Sequence, residues 1–176
     1  RIRSRGLGDV YKRQKEACVD NIQDAINAFK KGADRIEFCS NLDEDGLTPS
    51  NYDLISLKKS ISIPVRVMVR PHSNSFNYNE DDLIQMKETI EFCKNQKFDG
   101  VVFGCLDDYN ELDLTKIKYL ADFAKPLNVI IHKAIDLTSS PVNSLNKLLE
   151  INNVNGVLSS GGFETAELGA EILKKM

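Results

Sequence analysis

Apolar positions along this chain follow two rhythms that take turns. Short runs such as EACV, DRIEF, VRVMV, FDGVVFG, LNVIIH and VNGVLSS concentrate β-branched and aromatic residues, as buried strands do. Between them the apolar residues recur every third or fourth position. In DNIQDAINAFKKG, Ile22, Ala25, Ile26 and Phe29 form one stripe, and Gly32 is a natural stop. The same reading predicts helices over 49–59, with Pro49 in the first turn, and over 80–96, 113–124, 141–150 and 163–175. Strand and helix thus alternate from residue 15 to the end, as six βα units. No hairpin turn separates consecutive strands, so the strands are expected to be parallel with helical crossovers.

Such an α/β pattern fits a doubly wound sheet or a (β/α)8 barrel of the TIM type. Neither GxGxxG nor GxxxxGK[ST] follows any strand, which removes the usual reason to favour a nucleotide-binding sheet. The barrel is the preferred expectation. Six units do not close an eight-stranded barrel, so the chain reads as a truncated barrel with two βα units missing. The opening stretch RIRSRGLGDVYKRQ, residues 1–14, is basic and without periodicity; it reads as a non-native, adapter-like leader, with the domain spanning 15–176.

Composition narrows the partners. With 176 residues the chain has room for one domain. A net charge of -3 and no Lys/Arg stripe argue against nucleic acid or an anionic membrane surface as partner. No apolar run approaches the roughly 20 residues of a membrane span, and no export signal is visible. The four cysteines, Cys18, Cys39, Cys93 and Cys105, show no CxxC spacing. They read as reduced thiols of a cytoplasmic protein.

In a barrel of this kind chemistry gathers at the carboxyl ends of the strands. Period-two alternation puts Glu16 with Cys18, Glu37 with Cys39, Met68 with Arg70, and Ile130 with His132, each pair on one side of its strand. Facing the barrel axis, these sides would bring two carboxylates, two thiols, a guanidinium and an imidazole to one mouth. Arg70 between Glu16 and Glu37 would form either a buried ion network or a cradle for an anion. His132 with Asp136 would suit a general base and its orienting acid, and equally a hydrogen-bonded core histidine. His72, in a polar loop, is expected to face solvent. Cys18 and Cys39 end adjacent strands, at the same height on this reading. They are either small apolar fillers or a two-thiolate site for a soft ion such as Cu(I), with His132 as a further ligand candidate. Cys93 falls on the apolar face of its helix, and Cys105 is left open.

The stretch EACVDNIQDAINAFKKGADRIEFCSNLDEDGLTPS closely resembles the opening of the CutC copper-homeostasis family, and the likeness continues through IPVRVMVRP, FNYNEDD, FDGVVFGCL, IHKAIDLTSSP and GVLSSGG. The resemblance implies a (β/α)8 barrel in a cytoplasmic, copper-associated protein that is homo-oligomeric at full length. It maps the family pattern onto Glu16, Cys18, Glu37, Cys39, Arg70, His132 and Asp136, and implies copper(I) as ligand through Cys18 and Cys39. The family's glycine-rich loop after RP reads HSNS here, and its F-H-R-A-F-D reads IHKAID, with Lys133 in place of the arginine. Two functions stand side by side: a Cu(I)-binding protein of copper homeostasis, and a barrel enzyme acting on a small anionic substrate. The second would have Glu16, Glu37, Arg70, His132 and Asp136 as catalytic candidates.

Overall fold

A computed structural model describes residues 14–176; the leader assigned to 1–14 falls, except for Gln14, outside the described residues. Strands β1 (Glu16–Val19), β2 (Arg35–Phe38), β3 (Val65–Met68), β4 (Gly100–Phe103), β5 (Asn128–Ile131) and β6 (Val154–Val157) pair in sequence order, every neighbour parallel. Helices α1 (Ile22–Lys30), α2 (Asn51–Ser60), α3 (Glu80–Asn95), α4 (Leu114–Ala124), α5 (Pro141–Leu148) and α6 (Ala170–Leu173) supply the crossovers and follow β6. This is the βα succession read from the sequence.

Helix starts are fixed by short polar side chains that accept an otherwise unpaired backbone N–H. Asn21, Ser50, Asn79, Asp113 and Ser140 do this for α1 to α5 in turn. At α3 the cap is reciprocal: Asn79 accepts from the Asp82 N–H, and the Asp82 carboxylate accepts from the Asn79 N–H. Pro141 stands in the first turn of α5, where its missing N–H costs nothing. Pro49, expected in the first turn of α2, lies one residue ahead of the Ser50 cap instead. The last helix is also shorter than its apolar pattern suggests. Residues 163–169 form turns, and α6 begins only after Gly169, which packs so closely on Ser160 that a Cβ there would overlap the Ser160 carbonyl.

The inner strands β2 to β5 are buried on both faces, and the two faces meet different neighbours. One side carries Ile36, Phe38, Val65, Val67, Val101, Phe103, Val129 and Ile131 against the helices, in a single core with Leu54, Leu57, Met86, Ile90, Leu120 and Leu148. The other side forms a small separate cluster of Cys39, Met68, Val102 and Ile130. The parity predicted for Met68 and Ile130 is therefore observed. Of that inner cluster Met68 reaches the cavity described below.

Leu57 is fully buried between α2 and the sheet, whereas Tyr52 on the same helix is 78% exposed. Leu57→Ala should lower unfolding stability by about 2–5 kcal/mol, the usual range for emptying a buried leucine site. Tyr52→Ala should leave it within about 0.5 kcal/mol. Urea midpoints of the two variants measured side by side check this, and equal midpoints would contradict the packing described.

Candidate functional site

At the carboxyl ends of the strands a cavity of about 560 Å3 is lined by residues of β1, β2 and β3 and of the loops after β2, β3, β5 and β6. Cys18, Glu37, Arg70, His132 and Asp136 all line it. Glu16 does not. It shares the side of β1 that carries Cys18 but sits at the opposite end, where one carboxylate oxygen accepts from Arg35 Nε at 2.6 Å and from Arg66 Nη1 at 3.1 Å. The ion network expected around Arg70 is thus built instead from Arg35 and Arg66, two arginines that the sequence reading passed over.

Arg70 is committed to backbone. Its Nη1 donates to the carbonyls of Glu44 at 2.6 Å and Gly46 at 3.1 Å, and its Nη2 lies 3.4 Å from the Ser73 carbonyl. Its own N–H donates to Thr48 Oγ1, and its carbonyl accepts from the Thr48 N–H. The side chain is 4% exposed, and no ion pair among the described residues involves it. Phe76 covers it, with the ring centroid 4.7 Å from Cζ.

The same ring lies 4.8 Å from the His132 imidazole. His132 Nδ1 accepts from the Ala134 N–H at 3.2 Å, so the ring proton resides on Nε2, and Nε2 has no partner within the protein. Gly104 makes room for this imidazole, because a Cβ there would stand 2.9 Å from its Cε1 and Nδ1. Burial, aided by the positive charge of Arg70, pushes the imidazolium pKa down to about 3. His132 is a neutral hydrogen-bond donor across the physiological range.

Asp136 does not orient His132. Its carboxylate accepts from Ser159 Oγ at 2.5 Å, the Ser160 N–H at 2.8 Å, Ser160 Oγ at 3.0 Å and the Gly162 N–H at 2.9 Å. It pins the loop after β6, where Gly161 and Gly162 both take positive φ, a conformation that favours glycine. The base-and-orienter pair is thereby corrected: the acid that follows His132 is spent on the neighbouring strand's loop. His72 is corrected too, since its Nε2 lies 3.3 Å from Asp82 Oδ2 and its ring packs on Tyr78, part-buried rather than solvated.

The thiols occupy the β1 side of the mouth. In the parallel register Cys18 stands opposite Glu37, not opposite Cys39. The two sulfurs are therefore offset by one side-chain step rather than level, though each acts on the ionisation of the other. Cys18 is exposed and Cys39 is buried. Cys18 Sγ also lies 3.5 Å from Glu37 Oε1, and Cys39 Sγ lies 3.6 Å from the Val19 carbonyl. The neighbouring Cys39, burial and the negative charge of Glu37 hold the Cys18 thiol pKa well above its ordinary range. Cys18 in turn lowers that of Cys39. Glu37, 4% exposed, is itself raised, first by burial and then by Glu16. Arg70 is not among the groups that shift either thiol. No cluster of three or more His, Cys, Asp or Glu side chains with metal-holding geometry occurs among the described residues, so His132 does not join the thiol pair. Cys93 and Cys105 are fully buried, each pushed up to about 12 by burial.

Parallel strands with alternating helices, and polar groups gathered at the strand carboxyl ends, define a TIM-barrel type of α/β protein. The comparisons give the family. The model of the CutC family matches residues 13–176, and the chain belongs to that family. It is 38% identical over 161 residues to the human copper homeostasis protein cutC homolog, covering 92% of this chain and 59% of that protein. It is 37% identical to a family protein CutC of Pectobacterium atrosepticum, covering 92% of this chain and 64% of that one. The chain therefore spans about three fifths of the length of these curated relatives. A CutC crystal structure from Streptococcus agalactiae superposes with a TM-score of 0.82 at 28% identity, covering 92% of this chain and 80% of that one. A sialic acid aldolase of Ruminococcus gnavus, at TM-score 0.63 and 13% identity, shares the fold. Among the described residues, no helix is long and apolar enough to cross a membrane.

Two outcomes test these electrostatics. Because the folded state keeps His132 neutral while the unfolded chain protonates it near pH 6.5, its contribution to stability is present above that pH and is lost as pH falls toward 3. His132→Gln should flatten the fall in melting temperature between pH 7 and pH 4; an unaltered slope would place the acid sensitivity elsewhere. Removing the Glu37 charge should ease ionisation of Cys18. Iodoacetamide labelling of Cys18 at pH 8, followed by mass spectrometry, should be several-fold faster in Glu37→Gln than in the parent chain.

Proposed function

We propose that this chain binds Cu(I) through Cys18 and Cys39, in the service of copper homeostasis in the reducing cytoplasm. The placement of Cys18 on β1 and Cys39 just past the end of β2, one side-chain step apart on neighbouring parallel strands, carries this reading, and the names of the human relative and of its family support it. Two thiolates are a soft donor pair suited to a soft monovalent ion, and they need no third ligand for a near-linear site. Cys39 ionises first and Cys18 gives up its proton on binding, so binding releases protons and tightens as pH rises. Glu37 opposes the second ionisation.

Competition for Cu(I) against a chromophoric chelator, anaerobic and reducing, tests the assignment. Cys18→Ser or Cys39→Ser alone should weaken binding by at least about tenfold, and Cys93→Ser, which removes a thiol buried in the core, should not. Glu37→Gln should bind more tightly than the parent at pH 7. Unchanged affinity in the Cys18/Cys39 double variant would refute the site.

A further inference from the structure

Two donors at the centre of the mouth have no use in the interactions described so far. His132 Nε2 is buried with no hydrogen-bond partner within the protein, and Arg70 Nε is buried with only the Tyr78 hydroxyl acting on that side chain, neither of the two making a well-formed hydrogen bond. Both side chains are 4% exposed and both line the cavity. A guanidinium that has left water without a carboxylate beside it is costly, and carbonyl dipoles offset only part of that cost. The neighbouring wall is largely apolar, with Met68, Phe76, Leu158 and Phe163 facing the same space. Besides Arg70 the lining carries the carboxyl groups of Glu37, Asp45, Asp136 and Glu164 against one further cation, Lys133, a balance whose negative sign opposes a multiply charged anion. A volume of about 560 Å3 falls within the range of small-molecule sites.

We propose that the mouth binds a small organic monocarboxylate. Its carboxylate is held between Arg70 and the Nε2–H of His132, and its apolar body lies against Met68, Phe76, Leu158 and Phe163. The one buried cation and one neutral donor match a single negative charge, and the acidic balance of the rest of the lining, Lys133 included, selects against phosphate and dicarboxylates. Phe76 rests on both Arg70 and His132, so it turns aside to admit the carboxylate and then packs on the ligand. Neither thiol holds the carboxylate, although Cys18 lines the same cavity, so the two readings are separated by their variants.

The probe is hexanoate, titrated calorimetrically into the 176-residue chain, with hexanol and inorganic phosphate run in parallel. Hexanoate should bind saturably, and hexanol and phosphate at least about tenfold more weakly, because each lacks one half of the match. His132→Gln, which keeps an N–H, should stay within about threefold of the parent, whereas His132→Phe should lose about tenfold or more. Arg70→Met should abolish binding. Arg70 also holds loop carbonyls, so if that variant or His132→Phe unfolds, the parent's preference for hexanoate over hexanol decides. The Cys18→Ser/Cys39→Ser double variant should bind hexanoate as the parent does. Equal binding of hexanoate and hexanol would reduce the cavity to a greasy slot and overturn the proposal. Tighter binding of phosphate than of hexanoate would overturn it as well.

Discussion

The mouth depends on how one buried guanidinium is satisfied. Arg70 ends its strand with a positive charge that water cannot reach, and the surrounding chain answers with carbonyl oxygens from Glu44, Gly46 and Ser73. Those contacts tie the loop after β2 to the loop after β3. The two backbone bonds with Thr48 fasten the same seam a second time. The position of Phe76 over Arg70 follows, and through Phe76 the environment of His132. Because the guanidinium is met by dipoles rather than by a carboxylate, the interior of the mouth keeps a positive centre beneath an acidic rim.

The negative centre, Glu37, stands on the neighbouring strand β2. Glu37 is buried with only a thiol donating to it, while the arginines nearest in kind, Arg35 and Arg66, are engaged lower in the barrel by Glu16. The segregation is a matter of height. Two side chains on the same face of a strand but one step apart meet different layers of the interior, so Glu16 finds arginines and Glu37 finds Cys18. Charge at one layer closes the bottom of the sheet. Charge at the next is available for chemistry.

Much of this was legible from the residues themselves. The alternation of strand and helix and the inward parity of Glu37, Arg70 and His132 follow from local periodicity. What escaped was whatever depends on register between strands. The level placement of Cys18 with Cys39 failed because parallel pairing sets Cys18 against Glu37, and spacing along the chain does not contain that offset. Asp136 escaped for a related reason, since its partners Ser159, Ser160 and Gly162 lie a whole βα unit away. Arg35 and Arg66 were overlooked because attention to strand carboxyl ends neglects the opposite ends. The short last helix was misjudged because a turn packed on Ser160 overrides an apolar period.

The Glu16 ion pairs also bear on motion. Among the described residues β1 pairs with β2 alone, and in this chain a strand with one neighbour is the first to detach in a local opening. Glu16 reaches past that neighbour to Arg66 on β3, so detaching β1 must break ties to two strands at once. The same strand carries Cys18 to Cys39. Docking of β1 and pairing of the thiols are consequently one event, and an exchange-protection measurement on the amides of β1 reads how long the thiol pair persists.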